Sequence, residues 1–157
     1  MVNKPKQIGT AAETAAKKHA QQNGFPWAER QVLHGSKDVG DLWLDPIGKA
    51  IVEVKAGKAA ETASDLQVSD WMAEAEREAG HVGAEAWFLL RKRAGKGDAN
   101  VGMWWATFRL STLFRLRGYD FPVGEDGFVT MTYDSALAQI RWAGFGDSPL
   151  SPTNGVA

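Results

Sequence analysis

The 157-residue chain contains no cysteine, which excludes a disulfide framework and every thiolate metal site. Histidine is scarce as well. Its three copies, at 19, 34 and 81, stand at no metal-ligand spacing from one another, so His19 on a helix of Ala, Lys and Gln reads as a surface residue. Neither sign of charge predominates: 18 Lys and Arg stand against 19 Asp and Glu, a net charge of −1. No global basic field advertises nucleic acid, and any phosphate-binding surface must be local. No apolar run approaches a membrane span, and none follows the opening Met1-Val2-Asn3-Lys4-Pro5-Lys6; a cytoplasmic protein without a membrane partner is expected. What is present, 44% hydrophobic and 24% charged residues, is the composition of an ordinary globular protein with enough chain for one core. Residues 1–146 are expected to form a single domain, and the Ser-, Pro- and Gly-rich residues 147–157 a disordered tail.

The most informative stretch runs from residue 40 to residue 55 and reads as two strands joined by a tight turn. Asp45-Pro46-Ile47-Gly48 suits a three-residue hairpin loop with Gly48 in the left-handed position. That loop sets 45 opposite 49, 43 opposite 51 and 41 opposite 53, so Asp41, Glu53 and Lys55 share one face. Leu42, Leu44, Ala50, Val52 and Val54 take the other, as a core face. Two carboxylates opposite one another repel and need a cation. A hard divalent metal supplies it, and Lys55 beside it could orient a water or offset charge on a phosphate. A solvated hairpin carrying three surface charges is the alternative.

Around the hairpin, residues 10–23 read as a helix ended by Gly24. Thr10 and Glu13 fit a capping box, and Glu13 is either that cap or a third acid leaning toward the hairpin. Residues 27–33 read as a first strand, and residues 34–40 as a polar loop in which Ser36 and Lys37 suit phosphate contact. Residues 56–60 form a flexible exit. Residues 64–79 form a second helix with Ser64 as N-cap and Gly80 as stop, its Glu74, Glu76, Arg77 and Glu78 on the solvated face. Strands at 85–90 and 103–108 flank the densest basic run, Arg91-Lys92-Arg93-Ala94-Gly95-Lys96-Gly97, which is either a DNA-backbone contact or an ordinary surface loop. A short helix at 111–117, an edge strand at 128–133 and a last helix, capped by Asp134 or Ser135 and running to Trp142, complete an α/β domain. Its central mixed sheet has about five strands flanked by helices.

Five of these pieces in order, Gly9-Thr10-Ala11-Ala12-Glu13, Asn23-Gly24-Phe25, Gly35-Ser36-Lys37, Asp41-Leu42 and Glu53-Val54-Lys55, make the chain resemble the archaeal-type Holliday junction resolvases. Those enzymes belong to the PD-(D/E)xK nuclease superfamily. The resemblance spans Gly9 to the mid-chain helix and implies a restriction-endonuclease-like core. It also implies Mg2+-dependent cleavage of four-way DNA junctions, with Mn2+ able to substitute, by a homodimer bound to branched DNA. By the same likeness Glu13, Asp41 and Glu53 are metal-binding acids and Lys55 the catalytic lysine. Arg30 stands in for a first-strand arginine, and Gln67 resembles a glutamine near the metal. Gly40 replaces the superfamily's proline and Thr14 a frequent arginine, departures that bear on junction specificity more than on cleavage. A restriction- or repair-like nuclease, and a noncatalytic module of the same fold that binds DNA or a protein, are the other readings.

Overall fold

The computed structural model describes residues 4–32, 39–122 and 124–148. Six strands form one mixed sheet in chain order: β1 (Glu29–Arg30), β2 (Leu42–Trp43), β3 (Ala50–Lys55), β4 (Ala86–Arg91), β5 (Trp105–Arg109) and β6 (Phe128–Thr132). Every neighbouring pair is antiparallel except β3 and β4. A parallel pair needs a crossover, and α2 (Lys58–Glu61) and α3 (Asp65–Val82) supply it. The remaining helices are α1 (Lys4–Gln22), α4 (Leu110–Leu116) and α5 (Tyr133–Trp142).

The hairpin has the register that its loop requires. Leu42 pairs with Val52 and Trp43 with Ile51, which sets Asp41 across from Glu53. Gly48 has φ 71°, and the Asp45 carboxylate accepts the Ala50 N–H at 2.9 Å across the turn. On one face Leu42, Leu44, Val52, Phe88, Leu90 and Phe108 meet Ala12, Ala16 and Ala20 of α1 and Tyr133, Leu137 and Ile140 of α5. On the other, Ile51, Trp87 and Leu89 lie under Met72, Ala75 and Ala79 of α3. The hairpin's polar side is therefore roofed by a helix, and its charges lie in an interior.

Several boundaries differ from the sequence reading. Helix α1 begins six residues before Thr10, at Lys4, because proline is tolerated in a first helical turn and Gly9 costs too little to stop a helix that packs three alanines. Thr10 therefore caps nothing. Among the described residues of the expected first strand, only Glu29 and Arg30 pair with β2. Residues 58–61 form α2 where a flexible exit was expected. Helix α3 is capped by Ser64, as expected, but runs past Gly80 to the left-handed Gly83. Residues 98–103 form a 3-10 turn, so β5 starts two residues late, and Trp104 is wholly buried with its indole N–H donating to the Lys96 carbonyl at 2.9 Å. Thr132, not Asp134 or Ser135, caps α5. The first tail residues are tied down: the Asp147 N–H donates to the Gly24 carbonyl at 2.7 Å, and Arg141 donates to the carbonyls of Asp147 and Ser148. Among the described residues no helix is long and apolar enough to cross a membrane.

Candidate functional site

Asp41 is fixed by the backbone on both sides. Its N–H donates to the Val52 carbonyl at 3.2 Å, its carbonyl accepts from Gln31 at 2.9 Å, and its Oδ2 accepts the Val54 N–H at 2.8 Å. Glu53, in the middle of β3, is 5% exposed. Lys55, two residues on and so on the same face, reaches back to Glu53 Oε1 at 3.0 Å and across to Glu74 Oε1 at 3.2 Å. Its ammonium also stands 6.0 Å from the centre of the Trp71 ring.

Charge at this site is strongly coupled. Burial, then the carboxylates of Glu53 and Glu13, pushes Asp41 up to about 8, against the pull of the Val54 N–H and of Lys55. Burial and the facing Glu78 carboxyl push Glu53 up to about 9, against the pull of Lys55. Burial alone would lower Lys55, but Glu53 and Glu74 outweigh it and hold the ammonium charged. One lysine thus serves several acids, and its pull does not offset the burial that raises Asp41 and Glu53.

Glu13 lies well inside α1, where it receives Arg30 through Nε at 2.9 Å and through the other guanidinium nitrogen at 2.8 Å. It is no capping residue; it pairs with the cation of β1, and its charge is felt by Asp41. The acids that converge most tightly on Glu53 come from elsewhere. Carboxylate oxygens of Glu53, Glu74 and Glu78 all lie within 4.8 Å of one another, and of these the sequence reading places Glu74 and Glu78 on the solvated face. The signal was in the helical period: Glu78 falls on the stripe of Val68, Trp71, Met72, Ala75 and Val82, with Glu74 one turn before it. Glu76, off that stripe, is exposed and pairs with Arg109 at 2.9 Å.

The expected nucleic-acid contacts divide. Arg30 belongs to the Glu13 pair. Ser36 and Lys37 lie outside the described residues. Arg91 stands directly beside Lys55 in the parallel β3–β4 register, so the basic run leaves the sheet at the site. Within it Lys92 approaches Glu61 at 3.9 Å, and Arg93 lies 3.9 Å over the Trp105 ring. The backbone N–H of Gln67 is taken by the Ser64 cap at 3.2 Å.

Comparison with protein-family models, curated proteins and solved structures finds no match. The site must be read from its own chemistry. Its donors are all carboxylate oxygens, and Oε2 of Glu53 is buried with no hydrogen-bond partner among the described residues. Burial, with the neighbouring carboxylates, drives Asp41 and Glu53 toward their neutral forms. Such a set fits a hard divalent ion such as Mg2+.

Proposed function

We propose that this chain is a Mg2+-dependent, structure-specific DNA endonuclease, a cytoplasmic Holliday junction resolvase that cuts four-way junctions as a homodimer, with Mn2+ able to substitute. The observation that carries the reading is the side-by-side setting of Asp41, Glu53 and Lys55 at one end of the sheet, next to the basic exit of β4.

Asp41 and Glu53 would hold the ion, and Glu74 and Glu78 add carboxylate charge around it. When bound, the ion supplies Lewis acidity toward a phosphate oxygen and lowers the pKa of a water. Glu13, whose Oε2 is held by Arg30, bears on Asp41 through its field and would assist the ion directly or through water. Lys55 stays cationic because two glutamates hold it, which suits it to orient the attacking water or to offset charge growing on the phosphate. Arg91, Lys92 and Arg93 leave the sheet where a DNA backbone entering the site would pass, and such contacts supply affinity without sequence choice. A second copy would present a second site to the opposing strand.

The test is cleavage of a labelled four-way junction beside the same arms as linear duplex and as a three-way fork, with Mg2+, with Mn2+ and with chelator. Paired metal-dependent nicks confined to the junction are the expected result. Asp41→Asn and Glu53→Gln should each reduce cleavage at least about 100-fold, as loss of a metal-centred charge term does, while junction affinity in chelator changes little. Wild-type cleavage by both variants would sink the site assignment. The facing Glu78 carboxyl beside Glu53 favours one second reading, a module that binds branched DNA without cutting; tight, salt-sensitive binding with no nicks under any metal would identify it.

A further inference from the structure

Helix α3 roofs only part of its sheet face, and β5 and β6 continue beyond it. There a cavity of about 270 Å3 is lined by Asp65 and Val68 of α3, Arg91, Thr107, Phe128 and Thr130. Register puts the last four on one face: Arg91 is two residues beyond Leu89, which pairs with Thr107; Thr107 pairs with Thr130, and Phe128 is two residues before it. Arg91 is the unusual member. Its Nε is buried with no hydrogen-bond partner, and its guanidinium forms no ion pair among the described residues. Burial disfavours its charge, partly offset by the field of Asp65 on the rim. Arg109, by contrast, is already neutralised by Glu76 at 2.9 Å and Asp126 at 3.8 Å.

Beside this cation lies an aromatic surface. Phe128, on the sheet's edge strand, is 40% exposed, and the Arg109 guanidinium stands 5.5 Å from its ring centre. Thr107 and Thr130, whose hydroxyls bond each other at 2.8 Å, add further donors and acceptors. An anion for Arg91, a flat ring for Phe128 and room for one small group are together the features of a nucleotide. A base offers its face to a side chain only when it is unpaired, and the cavity falls short of the range that holds a drug-sized ligand.

We propose that this cavity is a subsite for one unpaired nucleotide, with a phosphate on Arg91 and the base stacked on Phe128. It rests on the nuclease reading and deepens it: because Arg91 neighbours Lys55 across the β3–β4 pair, the strand held here runs into the proposed reaction centre. The enzyme would then engage the single-stranded part of a branched substrate.

Fluorescence anisotropy tests this with the full chain in chelator, using a labelled oligothymidylate and a labelled duplex of equal length across a salt series. Arg91→Gln should weaken single-strand binding about tenfold and reduce the slope of log affinity against log salt by about 0.7, the share of one phosphate. Phe128→Ser should weaken single-strand binding about tenfold through lost stacking and leave duplex binding within about twofold. Phe128→Trp, which keeps a ring, should bind the single strand at least as well as wild type, and circular dichroism melting of each variant monitors its fold. Single-strand affinity unchanged in both Arg91→Gln and Phe128→Ser, or an equal loss on duplex from Phe128→Ser, overturns the subsite while leaving the nuclease reading intact. A wild-type chain that does not bind the single strand also overturns the subsite, whereas the nuclease reading falls only if the four-way junction is neither bound nor cut.

Discussion

At the scale of single residues, Asp41 and Glu53 are the least comfortable groups in the fold. Each carboxyl is held above its unfolded value, to about 8 and about 9, so between about pH 4 and these values the folded chain keeps protons that the unfolded chain has released. Linkage then gives the sign: in metal-free protein their contribution to stability is fully present below the unfolded values and is lost as pH rises through the folded ones. In chelator the melting temperature of wild type should fall from about pH 5 to about pH 8 relative to that of Glu53→Gln, which has no proton to lose at that position. Millimolar Mg2+ should return stability to wild type at the upper end of the window and do little for the variant, because a ligand stabilises the state that binds it. Parallel pH profiles for the two proteins would show that Glu53 is not held neutral.

At the scale of elements, the helix starts separate local signals from tertiary outcome. Thr10 and Ser64 carry the same type of sequence signal, but only Ser64 caps, accepting the Gln67 N–H at 3.2 Å. Ser64→Ala should cost about 1 kcal/mol in urea unfolding, as loss of a cap does. Thr10→Ala, at an exposed site inside α1, should be neutral or stabilising by a few tenths of a kcal/mol, because alanine is the better helix former. Equal losses from the two would restore the shorter helix. The hairpin shows the opposite case, in which local chemistry decided the result. Gly48 has a positive φ, and a Cβ there would stand 3.1 Å from the Trp43 ring. Gly48→Ala should therefore cost at least about 1 kcal/mol, and a smaller loss would mean the turn is not the one described.

For the whole molecule, both faces of the sheet are covered over its centre, and α1 and α5, the first and last described helices, meet. Tyr133 at the start of α5 is fully buried and donates its hydroxyl to the Ala16 carbonyl of α1 at 2.9 Å. Burial and the nearby Asp134 hold its phenol above its ordinary value, so it remains a donor at any working pH. Tyr133→Phe keeps the ring and removes the bond. It should cost about 1 kcal/mol and loosen the α1–α5 contact, seen as faster amide exchange at both helices. Because Glu13 rides on α1, the same loosening should lower cleavage more than junction binding. A variant as stable as wild type would show that the two ends are held by apolar packing alone.

The sequence by itself determined what local chemistry controls. A turn of fixed length at Asp45–Gly48 sets the β2–β3 register, and that register is enough to bring Asp41, Glu53 and Lys55 to one face. The approximate positions of the strands along the chain and the mixed α/β class were legible for the same reason, since strand patterns and turn residues act over a few positions; the sheet has six strands where about five were expected. Tertiary structure decided what lies above that face. Only packing against the sheet turns Glu74 and Glu78 inward and leaves Glu76 outside, binds Glu13 to Arg30, extends α1 past an apparent start signal and leaves Arg91 beside an uncovered aromatic edge. These are contacts between residues far apart in the chain: the helical period marks Glu78 as facing the sheet, but which groups it and the others meet is set by packing between distant elements.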